Sequence, residues 1–358
     1  MNDGSLRDPA AYSVVDGDVG RDRAKVIDVW RGNLGWGDRL DAKYDWFYSG
    51  CPWGEPMLQL LRHERMSEWV GVAAIGPRRM LWHGKEIRAG VLVDLAVASR
   101  HRSLGPALML QRATLTRAME QFDLVYGFPN PKAMPVVKRV GYSELGQIVR
   151  YSRVLRHGPY LQRLMFRPVA RAAGAVLDAL DRMVERVRST HSRLVGEWRD
   201  EVDPRMQDPR MQELWMRSTP GDGLVSMRDC ASVRWRFDQA GFMKTRYLLV
   251  GAQSGGAIDA WFACQSENST LHVRDFWSSD APRGVSPAAI RALVRAARAQ
   301  GYAAVSVQHA GSREAVAAWR AARFVERERR PIIGACRPSI GRDASALCLH
   351  LTPADEDE

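Results

Sequence analysis

The sequence predicts an α/β protein (in detail α+β): two tandem mixed sheets flanked by helices and joined by a helical linker. Three observations lead there. Extended and helical patterns alternate in the order βαβαβ between Val91 and Leu155. A matching series recurs in the second half of the chain, and a basic amphipathic stretch separates the two. With 358 residues the chain also exceeds one ordinary core.

The elements of the first series follow in order. Val91-Leu92-Val93-Asp94-Leu95-Ala96-Val97 is nearly continuously apolar and β-rich, the pattern of a strand covered on both faces. A turn over residues 98–105 leads to Pro106 at the first helical position, and Leu108, Leu115, Met119 and Phe122 then recur at helical spacing. Residues 123–128 read as a second strand, punctuated by Pro129-Asn130-Pro131. Residues 133–140 lead to Gly141-Tyr142 and a further extended segment.

The second series keeps the first one's spacing. Trp46-Phe47-Tyr48 begins eleven residues before the strand opening at Met57, and Trp235-Arg236-Phe237 begins eleven before the strand opening at Arg246. Asp94 lies 31 residues before Val125, and Asp275 lies 30 before Val305. This order points to an internal duplication, with domains over 10–156 and 201–350. The intervening 157–200 carries Leu161, Val169, Val176, Leu180 and Val187 at helical spacing among arginines. A connecting helix packed on one domain and a helix lying on a membrane surface both fit it. The final PADEDE reads as a solvated acidic tail.

Composition narrows the class of partner. Lys+Arg 52 against Asp+Glu 41 leaves a formal charge of +11, which favours phosphate, acidic lipid or nucleic acid. The basic residues are spread along the chain without a block, finger or RNP-like motif, which argues against nucleic acid. Five cysteines, an odd number without CxxC or paired Cys/His spacing, suggest no disulfide framework and no metal, and fit a reducing cytoplasm. The polar N-terminal stretch and the lack of a long apolar run read as neither secreted nor membrane-spanning.

The segment that carries chemistry is Arg102-Ser103-Leu104-Gly105-Pro106-Ala107, of the form R-x-x-G-x-A, after a buried strand and at a helix start. Glycine lets the backbone approach a ligand, and the first amides of a helix lack intrahelical acceptors. Together with the helix dipole they form an anion site suited to a diphosphate. Arg102 adds a charged donor, with Arg100 or His101 joining if they face the same way. Pro106 removes one amide.

On these residues the sequence resembles the GCN5-related N-acetyltransferase superfamily, whose acetyl-CoA turn is (Q/R)-x-x-G-x-(G/A). Residues 91–142 follow that family's order of elements. The repeated series is similar to tandem acetyltransferase-fold proteins of bacteria, some linked to cell-surface polysaccharide or peptidoglycan synthesis; KYDWFYSGCPWG and RDCASVRWRF look like segments of that group. The resemblance implies acetyl-CoA as acyl donor, lying where the strands of Asp94 and Val125 part. Its pantetheine would run along Leu95 and Val97, and its diphosphate would meet Arg102 and the amides of Leu104, Gly105, Ala107 and Leu108. Asn130 would cap the following helix or hold the pantetheine.

Transfer to an amine needs a base, donors for the oxyanion, and an acid for the thiolate. Asp94 is the base candidate, although Asp275 at the matching place argues equally for a shared structural hydrogen bond. The family's frequent acid, a Tyr four residues before the Gly-aromatic pair, falls here on Val137, which leaves Tyr126 and Tyr142 as substitutes or as packing residues. Tyr44, Trp46, Tyr48 and Glu55 form an aromatic and polar stretch suited to a sugar or amine acceptor, or to packing. His63 and His83 read as surface or satisfied residues. In the second series Ser286 stands for Gly105, and Trp319 and Arg323 stand for the Tyr and Gly. That copy is expected to be degenerate. Two other readings remain: an aminoacyl-tRNA-dependent ligase of the peptidoglycan-bridge type, and a non-catalytic scaffold at a membrane surface.

Overall fold

In the computed structural model the described residues are 11–162, 165–188, 194–199, 208–218, 221, 223–280, 283–337 and 348–356. In chain order the elements are β1 (Tyr12–Gly17), α1 (Arg23–Trp30), α2 (Leu40–Tyr44), β2 (Met57–His63), β3 (Glu68–Trp82), β4 (Lys85–Val97), α3 (Leu104–Gln121), β5 (Leu124–Gly127), α4 (Met134–Val140) and β6 (Ser143–Val154). There follow α5 (Gly158–Leu161), α6 (Arg167–Arg188), β7 (Val195–Arg199), α7 (Pro209–Arg217), β8 (Leu224–Ser226), α8 (Cys230–Val233), β9 (Thr245–Gly251), β10 (Ile258–Glu267) and β11 (Thr270–Ser278). The chain closes with α9 (Pro287–Ala299), β12 (Ala304–His309), α10 (Arg313–Ala321), β13 (Val325–Cys336) and β14 (Leu349–His350).

Contacts divide the chain into two units. The first holds Met1–Gln147, Arg330–Leu347 and Asp355–Glu358; the second holds Ile148–Arg329 and Cys348–Ala354. This differs from a division at residues 156 and 201. The twelve-residue strands β6 and β13 each pass from one unit into the other, and α6 belongs with the second unit.

In the first unit the strand order is β1-β2-β3-β4-β5, followed by residues 333–336 of β13. All neighbours are antiparallel except β4 and β5. β3 and β4 form a long hairpin closed by His83 and Gly84, both with positive φ, as a two-residue type I′ turn requires. The residues of α3 that reach deepest are Leu110, Gln111, Thr114 and Ala118, while Leu115 and Met119 pack at the margin. Of these, Thr114 and Ala118 are small and let that part of the helix sit close to the sheet, an effect that apolar spacing does not reveal. Gly141 ends α4 at φ 110°, a left-handed cap. The last described residues are not a solvated tail. Asp355 and Glu356 are buried, the Asp355 carbonyl accepts from the Tyr126 hydroxyl at 3.0 Å, and Glu356 pairs with Arg330 at 2.5 Å.

In the second unit residues 149–154 of β6 are followed by β12, β11, β10, β9 and β7, and β11 and β12 are parallel. Its core gathers Phe262, Phe276, Ile290, Leu293, Val305 and Trp319. Arg323 takes φ 63° after α10, the conformation Gly141 takes after α4. Helix α6 docks through Ala170, through Gly174, where an added Cβ would stand 2.5 Å from the Gly158 nitrogen, and through an ion-pair cluster at Asp181 and Glu185.

Candidate active site

The site begins where two parallel strands part. β4 pairs with β5 only over Ala89–Val91 against Leu124–Tyr126. Beyond that point Asp94 and Leu95 together oppose Ala73 in a β-bulge, with Asp94 at φ 53°. A bulge bends its strand away from its neighbour, and Asp is among the few non-glycine residues that tolerate the left-handed region. The gap is a cavity of about 190 Å³, walled by residues 92–95 on one side and 127–130 on the other. Lys43, Trp36, Gln111 and Val137 are among the other residues that line it.

Asp94 lies at the wall with both oxygens engaged. Lys43 Nζ donates to Oδ1 at 2.5 Å and the Tyr48 hydroxyl donates to Oδ2 at 3.1 Å; the Lys43 and Asp94 side chains are each only 1% exposed. The aromatic segment of the sequence serves this pair. Residues Asp45–Ser49 form a turn of π-helix that buries Trp46, Phe47 and Tyr48, and Tyr44 stacks on Tyr48 with ring centres 4.7 Å apart. The Lys43 ammonium also sits 4.7 Å from the Trp36 ring centre, a cation–π contact. Removing one partner of such a buried pair strands the other charge in a low-dielectric interior.

Next to the cavity α3 begins at Leu104, after Ser103, which makes no side-chain cap. The Ser103 amide is taken by the His101 carbonyl at 2.8 Å. Pro106 has no amide, and the amides of Ala107 and Leu108 fall four residues after the carbonyls of Ser103 and Leu104. The open donors therefore narrow to Leu104 and Gly105, fewer than the sequence suggests. An added Cβ at Gly105 would meet nothing within 4 Å. The Arg102 guanidinium donates to Asn33 Oδ1 at 2.5 Å and to the Val97 carbonyl at 3.4 Å, so it is held beside the turn.

His101 does not join this corner. It is buried, hydrogen-bonded to the Tyr12 hydroxyl at 3.0 Å and packed against His63. Burial, reinforced by the neighbouring His63, holds its pKa below the ordinary 6.5. The folded state prefers neutral His101, so its contribution to stability is present above pH 6.5 and is lost as the pH falls from there through the folded-state value. The melting temperature should drop below pH 6.5 more steeply in the wild type than in His101→Gln.

No protein-family model matches the chain, and a search of curated proteins finds no significant match. Solved structures do match. A probable N-acyltransferase of Enterococcus faecalis superposes with TM-score 0.62 at 10% identity, over 91% of this chain and 72% of that one. A GCN5-related N-acetyltransferase of Anabaena variabilis gives 0.61 at 12% identity, with the same coverages of 91% and 72%. N-myristoyltransferase of Saccharomyces cerevisiae, solved with bound myristoyl-CoA, gives 0.51 at 10% identity over 95% and 88%. The fold is that of the GCN5-related N-acetyltransferases.

Within this acetyltransferase fold the candidate residues separate into groups. Asp94, Leu95 and Asn130 line the cavity. Asn130 Oδ1 accepts from the amides of Lys132 and Ala133, so the side chain holds the turn before α4. Val97 is buried, and residues 102–108 lie outside the cavity lining, at the neighbouring helix end. Tyr126 and Tyr142 do not line the cavity. Tyr126 gives its proton to the Asp355 carbonyl, and the Tyr142 hydroxyl is buried without a partner, with its pKa pushed well up by burial. Val137, on which the resemblance set the acid's position, does line the cavity and is apolar.

The proposed acceptor rings are corrected by their burial. Tyr44, Trp46 and Tyr48 are core residues with no face to stack on a ligand, and only Glu55 of that set is exposed. Sequence reasoning missed Lys43, Trp36 and Gln111. Lys43 carried a faint signal, being one of only six lysines and standing directly before the aromatic segment. Gln111 lies three residues after Leu108 and four before Leu115, on the face whose apolar spacing was read, and its polar side chain was passed over. It is buried, it lines the cavity, and its Oε1 has no hydrogen-bond partner.

The second unit has the same bulge and a different ending. Arg274 is the extra residue opposite the Ala263/Cys264 step, and Asp275 beside it accepts from Arg228 and from the Thr352 hydroxyl at 2.7 Å. Each unit thus buries an acid beside a cation at its bulge. Ser286 proves to be the N-cap of α9, matching Ser103 rather than Gly105, and its hydroxyl accepts from the Ala289 amide at 3.2 Å. At Gly284 an added Cβ would stand 2.5 Å from Ala315 Cα, so this glycine serves packing. The helix end that is open in the first unit is closed here by its own side chain.

Proposed function

We propose that the first unit is an acyl-CoA-dependent N-acyltransferase, with acetyl-CoA the donor and an amine-bearing small molecule or amino sugar the acceptor. The observation that carries this reading is the cavity at the β4/β5 parting with an uncapped helix end beside it. The residues present fit the donor. The open amides of Leu104 and Gly105 suit a diphosphate, with Arg102 adjacent, and the unpaired Gln111 Oε1 suits an amide N–H of the pantetheine.

In the reaction the amine nitrogen forms a bond to the thioester carbonyl carbon and the carbon–sulfur bond breaks. The amine proton passes to Asp94 Oδ2 as the Tyr48 hydroxyl gives way, and the departing thiolate is protonated from solvent. Lys43 is the sole cationic side chain among the described cavity-lining residues, and it places positive charge where negative charge develops on the carbonyl oxygen. The matched bulges, buried acid–cation pairs and left-handed helix ends support an internal duplication in which the second copy has lost its anion site. A role in surface polysaccharide synthesis in the cytoplasm fits such an acceptor.

The test is thermal stability with and without acetyl-CoA, followed by thiol release with amines and amino sugars. A ligand at 100 times its Kd raises stability by about 2.7 kcal/mol, a readily measured rise in Tm. No rise and no thiol release with any acceptor would overturn the proposal, and tRNA binding instead would favour the aminoacyl-transfer reading.

A further inference from the structure

Helix α6 has two unlike faces. Its acids all turn toward its own unit: Asp178 binds His157 Nδ1 at 2.6 Å, Asp181 binds Arg153 at 3.0 Å and Arg323 at 2.6 Å, and Glu185 binds Arg153 at 2.9 Å and Arg298 at 2.8 Å. The other face carries Val169, Val176, Leu180 and Met183 at helical spacing, with Phe166 just before the helix; each is more than half exposed. A contiguous apolar surface of this kind marks an interaction site.

The surroundings of the patch identify what covers it. Leu177, Leu180 and Val184 share a groove with Arg323, Val325 and Arg327 of the same unit. Val325 is itself exposed, and side chains two apart in a strand point the same way, so Val325 and Arg327 face the groove together, and Arg323 lines it from the left-handed turn before β13. The alternate acids Glu326 and Glu328 are engaged elsewhere, with Arg320 and Arg329 and with Arg150. Arg171 and Arg182 are exposed on α6. The patch thus pairs apolar surface with positive charge: Arg323 is held by Asp181, while Arg327, Arg171 and Arg182 form no ion pair among the described residues.

We infer that this face docks the protein on an anionic lipid surface, with the apolar side chains entering the headgroup boundary and the arginines meeting lipid phosphates. Apolar burial and charge attraction act together, as stable interfacial attachment requires. Pairing with a second copy would set arginine against arginine, the one acid among the groove's described residues, Asp181, being already taken by Arg153, Arg298 and Arg323. Among the described residues no helix is long and apolar enough to cross a membrane, so the helix lies in the interface plane.

Sedimentation of the full chain with phosphatidylcholine–phosphatidylglycerol vesicles and with phosphatidylcholine vesicles tests the inference. The wild type is expected to pellet with the anionic vesicles alone, less so in high salt. Val176→Asp/Leu180→Asp should weaken this at least about tenfold. Arg327→Glu should weaken it about 25-fold, the reversal counting as two charges of about fivefold each. Circular dichroism establishes that both variants fold, since the substituted side chains are exposed. Failure to bind anionic vesicles, equal binding to phosphatidylcholine, unchanged binding of the variants, or a dimer that the double substitution dissociates would each overturn it.

Discussion

Gly105→Glu is expected to leave the fold intact and to lower acetyl-CoA affinity about 100-fold. The two halves of this expectation have separate causes. A Cβ at Gly105 enters open space and the backbone there is helical, so no packing is disturbed. A carboxylate in the first turn also interacts favourably with the helix dipole, so stability should hold or rise slightly. The same carboxylate occupies the ground where a diphosphate would meet the Leu104 and Gly105 amides. Charge-assisted hydrogen bonds are worth about 1.5–3 kcal/mol each, and losing two removes roughly 3 kcal/mol or more of binding, about two powers of ten. Gly105→Ala is the control, because a methyl group leaves the amides open and improves helix propensity. Calorimetric titration of the three proteins with acetyl-CoA checks this, with urea unfolding for stability. Equal affinities for wild type and Gly105→Glu would remove the diphosphate from this corner.

The Lys43–Asp94 pair should show the largest effects on stability. Lys43→Met leaves the Asp94 carboxylate buried without its ammonium, the Tyr48 hydroxyl still donating to Oδ2, at a cost of about 3–5 kcal/mol. Asp94→Asn keeps the side-chain shape and tolerance of φ 53°, so it removes charge without straining the bulge. It strands the ammonium instead, at a comparable cost. The double variant buries no unpaired charge and should be more stable than the sum of the single losses predicts, a coupling measured by urea unfolding of all four proteins. Turnover separates the pair's second role. If Asp94 receives the amine proton, Asp94→Asn lowers kcat about 100-fold or more while acetyl-CoA affinity changes little. Parallel loss of stability with unchanged kcat would make the pair purely structural, the role Arg228 and Thr352 suggest for Asp275.

Much of this was legible along the chain, and the reasons are local. The run from Val91 to Val97 and the Gly141 cap each express a preference of their own residues and stand where that preference puts them, whereas α3 begins at Leu104, two residues before Pro106. The recurrence of Trp46 at Trp235 and of Asp94 at Asp275 was a matter of spacing alone. Both aromatic segments form turns of π-helix, and both acids lie at bulges.

Other features depend on neighbours distant in sequence. Lys43 reads as a surface lysine until a residue 51 positions away faces it. The rings at Tyr44, Trp46 and Tyr48 look like a binding platform, and become core because α2 and the π-helical turn after it bury them. His101 stands beside an arginine in an anion motif, yet turns inward to Tyr12.

By itself the sequence determined the elements, their repeated order and the single turn able to present bare amides, because dihedral preference and hydrophobic period are properties of adjacent residues. Tertiary structure alone decided which charges are buried, which rings are exposed, and that the second helix end is closed while the first stays open. Those outcomes depend on what each side chain meets after folding, and desolvation has no counterpart in a linear pattern.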